Sequence, residues 1–553
     1  MSHRHATIPG RIAILMRILM INPSRAGRGS IPINLPILIA VLRRAGHDVR
    51  LFDYTNYHCF QPENMVFSPD GSGELPTGKF AHPEHFFKPV SPIDLAALKM
   101  ERTVYAERLQ LLDVFDPGSE LWHSDPDQDL KVLIERFRPD VVGMSCLTMD
   151  AGTALRRIAP FKDKHGFVLV VGGVHARVVP ESVIQHPVVD AVCVGEGERA
   201  FPEYLSRLAS GVDWEQSPNM WIRSGDSWRR NDVVWRTEMA DLPVPELDLF
   251  DPVHFYRPFD GRLFRMVNFE WSRGCPFSCS YCVNAVLNQQ TRTLFPHASL
   301  VRTKPVEQTI AELRLLIDRH GFDFIRFWDE DFLAVPVDTL SAFARVYLRD
   351  IGLPFLIYAR LESITRDKLA LLKRIGCRTI AAGIESGSEW IRRHVLNRQI
   401  GNQMILDRLG MIQEAGIRVS CYNIMGLPGE NRERIFETIQ LNRQAPVDSV
   451  SCTLLEPYPR TPIRSLCEKD GFEGGLEPDY RCLFGIPNYV PRGMTCSELM
   501  GLFRCFPLYV YLPEDDFPRI RIAEQDTEEG RAMFQSLMRE KMESYNEKPL
   551  YPR

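Results

Sequence analysis

The chain has 553 residues, 44% hydrophobic and 25% charged, with 66 Lys and Arg against 71 Asp and Glu for a formal net charge of −5. That length suggests three folding units, the slightly acidic balance argues against a nucleic acid partner held mainly by electrostatics, and no apolar run reaches the ~18 residues of a membrane span. The 13 cysteines are odd in number and scattered, and those in apolar runs, such as Cys146, Cys193 and Cys421, read as small core residues rather than a disulfide framework.

Met1 to Gly10 has no clear secretory character, and the apolar run Ile12 to Ile21 is short and broken by Arg17. The segment Arg17 to Pro23 predicts a buried strand, Leu35 to Ala45 an amphipathic helix closed by Gly46, and Asp48 to Phe52 a second strand. An insertion at about 54–128, rich in Pro, Phe and His, follows and includes a helical stretch from Ile93 to Leu112. The βα alternation then resumes with a helix Leu130 to Phe137, a strand Val141 to Ser145, a helix Ala151 to Lys164 and a strand Phe167 to Val171 running into Gly172-Gly173-Val174-His175. A fifth strand, Asp190 to Val194, ends in Gly195-Glu196-Gly197-Glu198. Doubly wound sheets bind ligands at the carboxyl ends of their strands, and glycines there let backbone approach a bulky group. The loop after the first strand, Asn22-Pro23-Ser24-Arg25-Ala26-Gly27-Arg28-Gly29, lacks the G-x-G-x-x-G fingerprint, which argues against a dinucleotide.

Residues 206–263, with Asp241-Leu242-Pro243-Val244-Pro245, read as an extended linker. Next comes Arg273-Gly274-Cys275-Pro276-Phe277-Ser278-Cys279-Ser280-Tyr281-Cys282, whose C-x-x-x-C-x-x-C spacing supplies three thiolates and no fourth. Structural zinc would call for a second cysteine or histidine pair, and the next cysteine is Cys377, about a hundred residues on. An iron–sulfur cluster takes four ligands; Cys275, Cys279 and Cys282 would leave one iron open to a small molecule.

Beyond the cysteines, helix and strand patterns alternate for about two hundred residues, as in βα units around a parallel sheet. A helix Val306 to Arg319 precedes a strand Phe322 to Trp328; a strand Pro354 to Tyr358, a helix Thr365 to Ile375 and a strand Arg378 to Ala382 follow. Then come a helix Gln403 to Ala415, a strand Arg418 to Met425 and a strand Ser449 to Leu455. Three groups sit at strand ends, where a barrel gathers its functional residues: Trp328-Asp329-Glu330-Asp331-Phe332, Gly383-Ile384-Glu385-Ser386-Gly387 and Met425-Gly426-Leu427-Pro428-Gly429-Glu430. Taken singly, the acidic residues read equally well as helix caps and Gly-Leu-Pro-Gly as a turn.

In this order and spacing, over roughly residues 264–465, the motifs resemble those of the radical S-adenosylmethionine (radical SAM) superfamily. The resemblance implies that Cys275, Cys279 and Cys282 hold a 4Fe-4S cluster whose open iron binds SAM. It further implies that Asp329 or Glu330 receives the SAM ammonium, that Gly383, Glu385 and Ser386 hold its ribose and carboxylate, and that Phe277, Tyr281 and Leu427 border the ligand. Residues 17–205, without the insertion, resemble the cobalamin-binding domain found ahead of many such cores. By position, Asn22, Ser145, Thr148, Gly172, Gly173, His175, Gly195 and Glu196 would surround the corrin or its nucleotide tail. The family's D-x-H-x-x-G motif is missing: Asp163-Lys164-His165-Gly166 lacks the final glycine and precedes the fourth strand, so a base-off cobalt without a histidine ligand is expected. The insertion reads equally as a surface elaboration and as a cap over this cofactor.

The resulting expectation is an α/β chain: a Rossmann-like cobalamin-binding domain at 1–205, a linker at 206–263, a partial (β/α)6 TIM-type radical SAM barrel at 264–469, and a small, mainly helical segment at 470–553. That last segment, with Phe506 to Tyr511 and a charged helix near Glu528 to Tyr545, reads as closing the barrel or shaping the substrate pocket. The resemblance implies a cytoplasmic enzyme with a small-molecule substrate, an electron donor such as flavodoxin or ferredoxin, and no acid–base or nucleophilic catalytic residue of its own. Its reaction would be methylation of an unactivated carbon by a 5′-deoxyadenosyl radical and methylcobalamin. A cyclase or rearrangement enzyme using the same cofactors is the alternative. A methylthiotransferase would need a second cluster, for which Cys59, Cys146 and Cys193 are the only N-terminal cysteines, and a non-catalytic cobalamin sensor would not need the cysteine triad.

Overall fold

The computed structural model describes residues 15–24, 31–56, 125–259, 262–476, 482 and 486–546. The helical stretch expected at Ile93 to Leu112 and Cys59 lie outside them. The chain divides into two compact units, the first drawn from Met1–Ser24, Asn34–Tyr54 and Asp125–Phe250, the second from the remainder.

The first unit is a seven-stranded sheet of order β2-β1-β3-β4-β5-β6-β7. Strands β1 (Arg17–Asn22), β2 (Asp48–Asp53), β3 (Val141–Ser145), β4 (Val168–Gly172) and β5 (Ala191–Cys193) run parallel. Their near-continuous apolar runs are what a sheet covered on both faces requires: Ile18, Leu19, Val141, Val142, Leu169 and Val171 are fully buried. The helices that follow β3 and β5 end on a left-handed residue where the pattern stops. Gly166 closes Ala151–His165 and Gly211 closes Gly197–Ser210 with αL geometry. The stretch read as a linker differs from that reading, because β6 (Met220–Ser224) and β7 (Ser227–Arg230) form an antiparallel hairpin that extends this sheet from β5. The alternation of Met220, Trp221 and Ile222 is a strand signal that the flanking prolines and glycines obscure in sequence.

The second unit begins with the antiparallel pair β8 (Tyr256–Phe259) and β9 (Arg262–Phe269). After the short β10 (Ser272–Arg273) and β11 (Arg302–Thr303) pair come β12 (Phe324–Phe327), β13 (Phe355–Tyr358), β14 (Cys377–Glu385), β15 (Arg418–Met425) and β16 (Ser449–Leu454). The sheet order is β16-β15-β14-β13-β12-β9-β8, with β9 and β12 to β16 all parallel. Six parallel strands linked by helices make the partial barrel.

Register separates the two faces of that sheet. Ile325, Phe327, Phe355 and Ile357 point to the helix layer, where Phe327 meets Phe343 at 5.8 Å and Phe355 at 5.5 Å between ring centroids. Arg326, Tyr358, Ala381, Ser420 and Tyr422 share the opposite, inner face, because β12 pairs Arg326 with Leu356, β13 pairs Tyr358 with Ala381 and β14 pairs Gly383 with Tyr422. The C-terminal helix Cys496–Tyr511 packs on β16 and on the helix Arg432–Gln444, tied by Arg443 Nη1 to the carbonyls of Tyr509 and Leu512, both at 2.6 Å.

Candidate functional site

In the barrel unit, β9 leads into the loop that carries the three cysteines. Gly274 sits at φ +101°, and a Cβ there would lie 2.1 Å from the Leu300 carbonyl oxygen, so the turn requires glycine. Its N–H donates to Glu330 Oε2 at 2.9 Å. Asn288, buried on the helix Val283–Leu294, donates from Nδ2 to the carbonyls of Cys275 and Phe277, each at 2.9 Å. Asn397 Nδ2 reaches the Ser278 carbonyl at 2.8 Å, and Ser280 is held by Leu396 O on its N–H and by Val395 O on its hydroxyl. Cys282 is the N-cap of Val283–Leu294, its Sγ 3.5 Å from the Asn284 N–H, an end of a helix that favours negative charge. The loop is thus braced by side-chain amides from the helix that follows it and from the distant Asn397.

Cys275 and Cys279 are buried and Cys282 half-buried. Burial pushes the Cys275 thiol up to about 12 and the Cys282 thiol to about 11, so a metal binding there would have to displace their protons. Arg360 stacks 3.9 Å over the Phe277 ring and its Nη1 contacts Cys279 Sγ. Among the described residues, no three His, Cys, Asp or Glu side chains converge as a single-ion site demands. Thiolates that each bind a different iron of one cluster need no such convergence, and three on one short loop fit it.

The strand-end motifs surround this platform. Tyr281 donates its hydroxyl to Glu385 Oε1 at 2.9 Å. Glu385 adopts φ +68° where the β14–β15 register shifts, and a Cβ on Gly383 would collide with its Oε1. Burial raises the Glu385 carboxyl despite Arg398 at 3.5 Å and the Tyr281 hydroxyl. Arg398 bridges onward to Glu362 at 3.4 Å and donates to the Gly383 carbonyl at 2.9 Å. Burial also works to raise Glu362, but Arg398 and Arg360 outweigh it and hold that carboxyl below its usual range. Arg398 is 2% exposed on its side chain, and its Nε is buried without a partner. Arg398, Glu362, Asn288 and Asn397 carried no sequence signal: they lie in no motif, and a buried arginine or asparagine looks like a surface one in a string of letters.

The other expected residues differ in what they offer. Asp329 is sealed in, accepting from the Ser272 N–H and hydroxyl at 2.5 Å each and from the Trp271 N–H at 3.3 Å, with burial raising its pKa to about 8. Glu330 is exposed beside the cysteine loop, and Asp331 is committed to Ser363, Arg360 and Leu333. Ser386 is fully buried, its Oγ accepting the Ser388 N–H at 3.2 Å. Leu427 lies in an apolar cluster with Ile391, Leu396 and Leu455, against which Tyr281 packs. Glu430 accepts the N–H groups of Gly426 and Leu427 at 2.7 and 3.0 Å, so the Gly-Leu-Pro-Gly turn is braced from within.

In the first unit the expected residues gather at the carboxyl ends of β1, β3, β4 and β5. Asn22 is buried, donating to Asp53 Oδ1 at 2.9 Å; Ser145 Oγ accepts from Asn34 Nδ2; and Thr148 lies half-buried in the turn after β3. Gly172 ends β4. Gly173, at φ +93°, has the Cys146 backbone 2.6 Å from where a Cβ would stand, and Gly195 has Asn219 at 2.5 Å. These glycines hold loops together at the sheet edge. Glu196 accepts the Thr237 N–H at 2.6 Å within the same unit. His175 is fully buried, with Nε2 3.2 Å from Ser182 Oγ, and its Nδ1 has no partner. His165 ends the helix Ala151–His165, away from the strand ends. Beside Ser145, Leu147 stays 42% exposed, an apolar surface next to the polar groups that a corrin with its amide rim would match.

Residues 269–441 match the model of the Radical SAM superfamily, and residues 120–205 match the B12 binding domain. The chain carries a radical SAM domain. Its barrel is preceded by a B12-binding domain, and the enzyme's cofactors are a 4Fe-4S cluster, S-adenosylmethionine and cobalamin. It is 28% identical over 338 residues to an uncharacterized methyltransferase of Pyrococcus horikoshii, spanning 60% of this chain and 70% of that one. It is 24% identical over 396 residues to an anaerobic magnesium-protoporphyrin IX monomethyl ester cyclase of Rubrivivax gelatinosus, spanning 69% and 68%. Its fold is similar to that of TsrM, a radical SAM methyltransferase from Kitasatospora setae solved with cobalamin and a 4Fe-4S cluster bound, with a TM-score of 0.59, 13% identity, and coverage of 96% and 100%. No helix of the described residues is long and apolar enough to cross a membrane.

Proposed function

We propose that this radical SAM enzyme is a cobalamin-dependent C-methyltransferase that methylates an unactivated carbon of a small molecule. When bound, the cluster with SAM supplies a hydrogen-abstracting radical and the cobalamin a transferable methyl group. The chain's own residues bind, orient and shield. Cys275, Cys279 and Cys282 hold the cluster, on a loop that Asn288 and Asn397 keep from collapsing once charged. Glu385, oriented by Tyr281, and the exposed Glu330 face the cationic end of SAM, while Arg398, with its orphaned Nε, receives a carboxylate. Gly172, Gly173 and Gly195, with Ser145, Thr148 and the exposed Leu147, form the cobalamin edge. Phe277, half-buried under the Arg360 guanidinium, shields the cluster side from water. Radical chemistry needs no side-chain nucleophile, which agrees with a mouth where Glu362 and Glu385 are already paired with Arg398. A soluble electron donor of flavodoxin or ferredoxin type and a reducing cytoplasm complete the reading.

The observation that carries it is the coincidence of an open-iron cysteine triad and a B12-binding domain in one chain. The alternative of cyclisation without methyl transfer is favoured by the relatives named as cyclases. The test is anaerobic reconstitution with iron, sulfide and hydroxocobalamin, then reduction with methyl-labelled SAM. Label in the cobalamin fraction together with 5′-deoxyadenosine supports the methyltransferase; 5′-deoxyadenosine with unlabelled cobalamin supports the cyclase.

A further inference from the structure

Three arginines around the barrel mouth are paired with carboxylates. Arg273 meets Glu270 at 2.9 Å, Arg360 is paired with Glu362, and Arg398 lies between Glu362 and Glu385. Arg326, on the inner face of β12, makes no ion pair among the described residues. Its Nε donates to the Tyr358 hydroxyl at 2.8 Å and its Nη2 contacts the same oxygen. The guanidinium is stacked 3.8 Å over the Trp328 ring and 5.3 Å from the Tyr358 ring centroid. Tyr358 is stacked in turn on Tyr422, 6.4 Å away with 18° between the planes. Trp328 is 41% exposed at the strand's carboxyl end, one residue before Asp329.

A half-buried guanidinium whose only hydrogen-bond partner among the described residues is a neutral phenol has its Nη1 donors available. The planar fork matches a carboxylate or phosphate through two parallel hydrogen bonds. Three aromatic rings around it offer apolar walls rather than competing acceptors, and an indole left exposed beside a cation forms a flat face for a ring or hydrocarbon. A role confined to holding Tyr358 would need neither the exposed Trp328 nor a permanent charge, since a glutamine could donate the same bond.

We propose that Arg326, walled by Trp328, Tyr358 and Tyr422, is the substrate anchor of the barrel, binding an oxyanion, carboxylate or phosphate, carried on an apolar or aromatic scaffold. This rests on reading the barrel mouth as the reaction site, and it narrows the substrate class. The anchor stands two strand positions before Trp328, which leads into Asp329 and Glu330, so a substrate held there has its far end toward the SAM motifs.

The test uses the full chain reconstituted with cluster and cobalamin, titrated with benzoate, phenyl phosphate and benzyl alcohol by calorimetry. Saturable binding of benzoate or phenyl phosphate is expected, the tighter of the two identifying the oxyanion, with benzyl alcohol weaker by at least about tenfold. Arg326→Gln loses the preferred anion by a similar factor while loading iron and cobalamin like the wild type. Arg326→Lys, which keeps the charge but not the fork, is intermediate. Trp328→Ala, which alters an exposed ring, weakens all three probes. Equal binding of benzyl alcohol, no saturable anion binding, or unchanged anion binding in Arg326→Gln overturns the proposal. Failure of the wild type to load cobalamin or cluster instead overturns the cofactor reading and is seen separately in iron content and absorbance.

Discussion

Arg398→Met removes the cation lying between two half-buried carboxylates and strands Glu385, since Arg360 still compensates Glu362. In the wild type its guanidinium is 3.4 Å from Glu362 and 3.5 Å from Glu385. At an effective dielectric constant of about 20, each pair is worth about 5 kcal/mol before desolvation. Breaking such a pair by deleting one partner measures about 3–5 kcal/mol, because the charge left behind is uncompensated. An independent ceiling follows from proton uptake. A stranded carboxylate escapes by binding a proton, which from a normal pKa of 4.5 costs about 3.4 kcal/mol at pH 7. Methionine nearly fills the volume, so the cavity contribution is small. Arg398→Met is therefore expected to destabilise the barrel unit by about 3 kcal/mol at pH 7, measured by urea unfolding. The ceiling falls by about 1.4 kcal/mol per pH unit, so the penalty shrinks between pH 7 and pH 5. Glu385→Gln in the Arg398→Met background restores part of it. A loss below about 1 kcal/mol at pH 7, or a loss independent of pH, refutes the claim that Arg398 is the electrostatic centre of this network.

Asn288→Ala leaves the Cys275 and Phe277 carbonyls without their donor and is expected to cost about 1–3 kcal/mol, with iron content after reconstitution falling below that of the wild type; full iron loading would show that the loop does not depend on this amide. Gly274→Ala forces a Cβ against the Leu300 carbonyl at positive φ and is expected to destabilise by at least about 2 kcal/mol, read by thermal unfolding, with a wild-type transition counting against the turn geometry. His175 tests the first unit. Burial lowers its pKa from 6.5 to about 4, so between those values the unfolded chain binds a proton that the folded chain refuses. Stability therefore declines as pH falls through that window, by up to about 3.4 kcal/mol. His175→Gln is expected to flatten the pH slope of the urea midpoint between pH 6.5 and 4, and identical slopes would show that another group governs it.

The positions of the strands were legible in sequence because hydrophobic periodicity is local. Arg418–Met425 and Val141–Ser145 are where their apolar patterns end, and Gly166 and Gly416 stop helices as their conformational freedom dictates. The hairpin Met220–Arg230 was obscured by surrounding proline and glycine, whose turn signals outweigh a short alternation. Of the site, the cysteines and the acidic strand ends were legible because their types and spacing carry the chemistry directly. Their division of labour was not: Asp329 and Glu330 are adjacent letters, yet one is walled in by Ser272 and the other is exposed.

By itself, then, the sequence determined the order of elements, the spacing of three cysteines on one loop and the presence of a B12-binding and a radical SAM domain, all of which depend on residue type and short-range spacing. Only the tertiary structure decided that Tyr281 meets Glu385 across 104 positions of chain, that Arg398 compensates Glu362 across 36, and that Arg326 has aromatic walls but no carboxylate. Whether a charge is buried, paired or left open depends on which distant segments close around it, and that is set by sheet register rather than by neighbours in sequence.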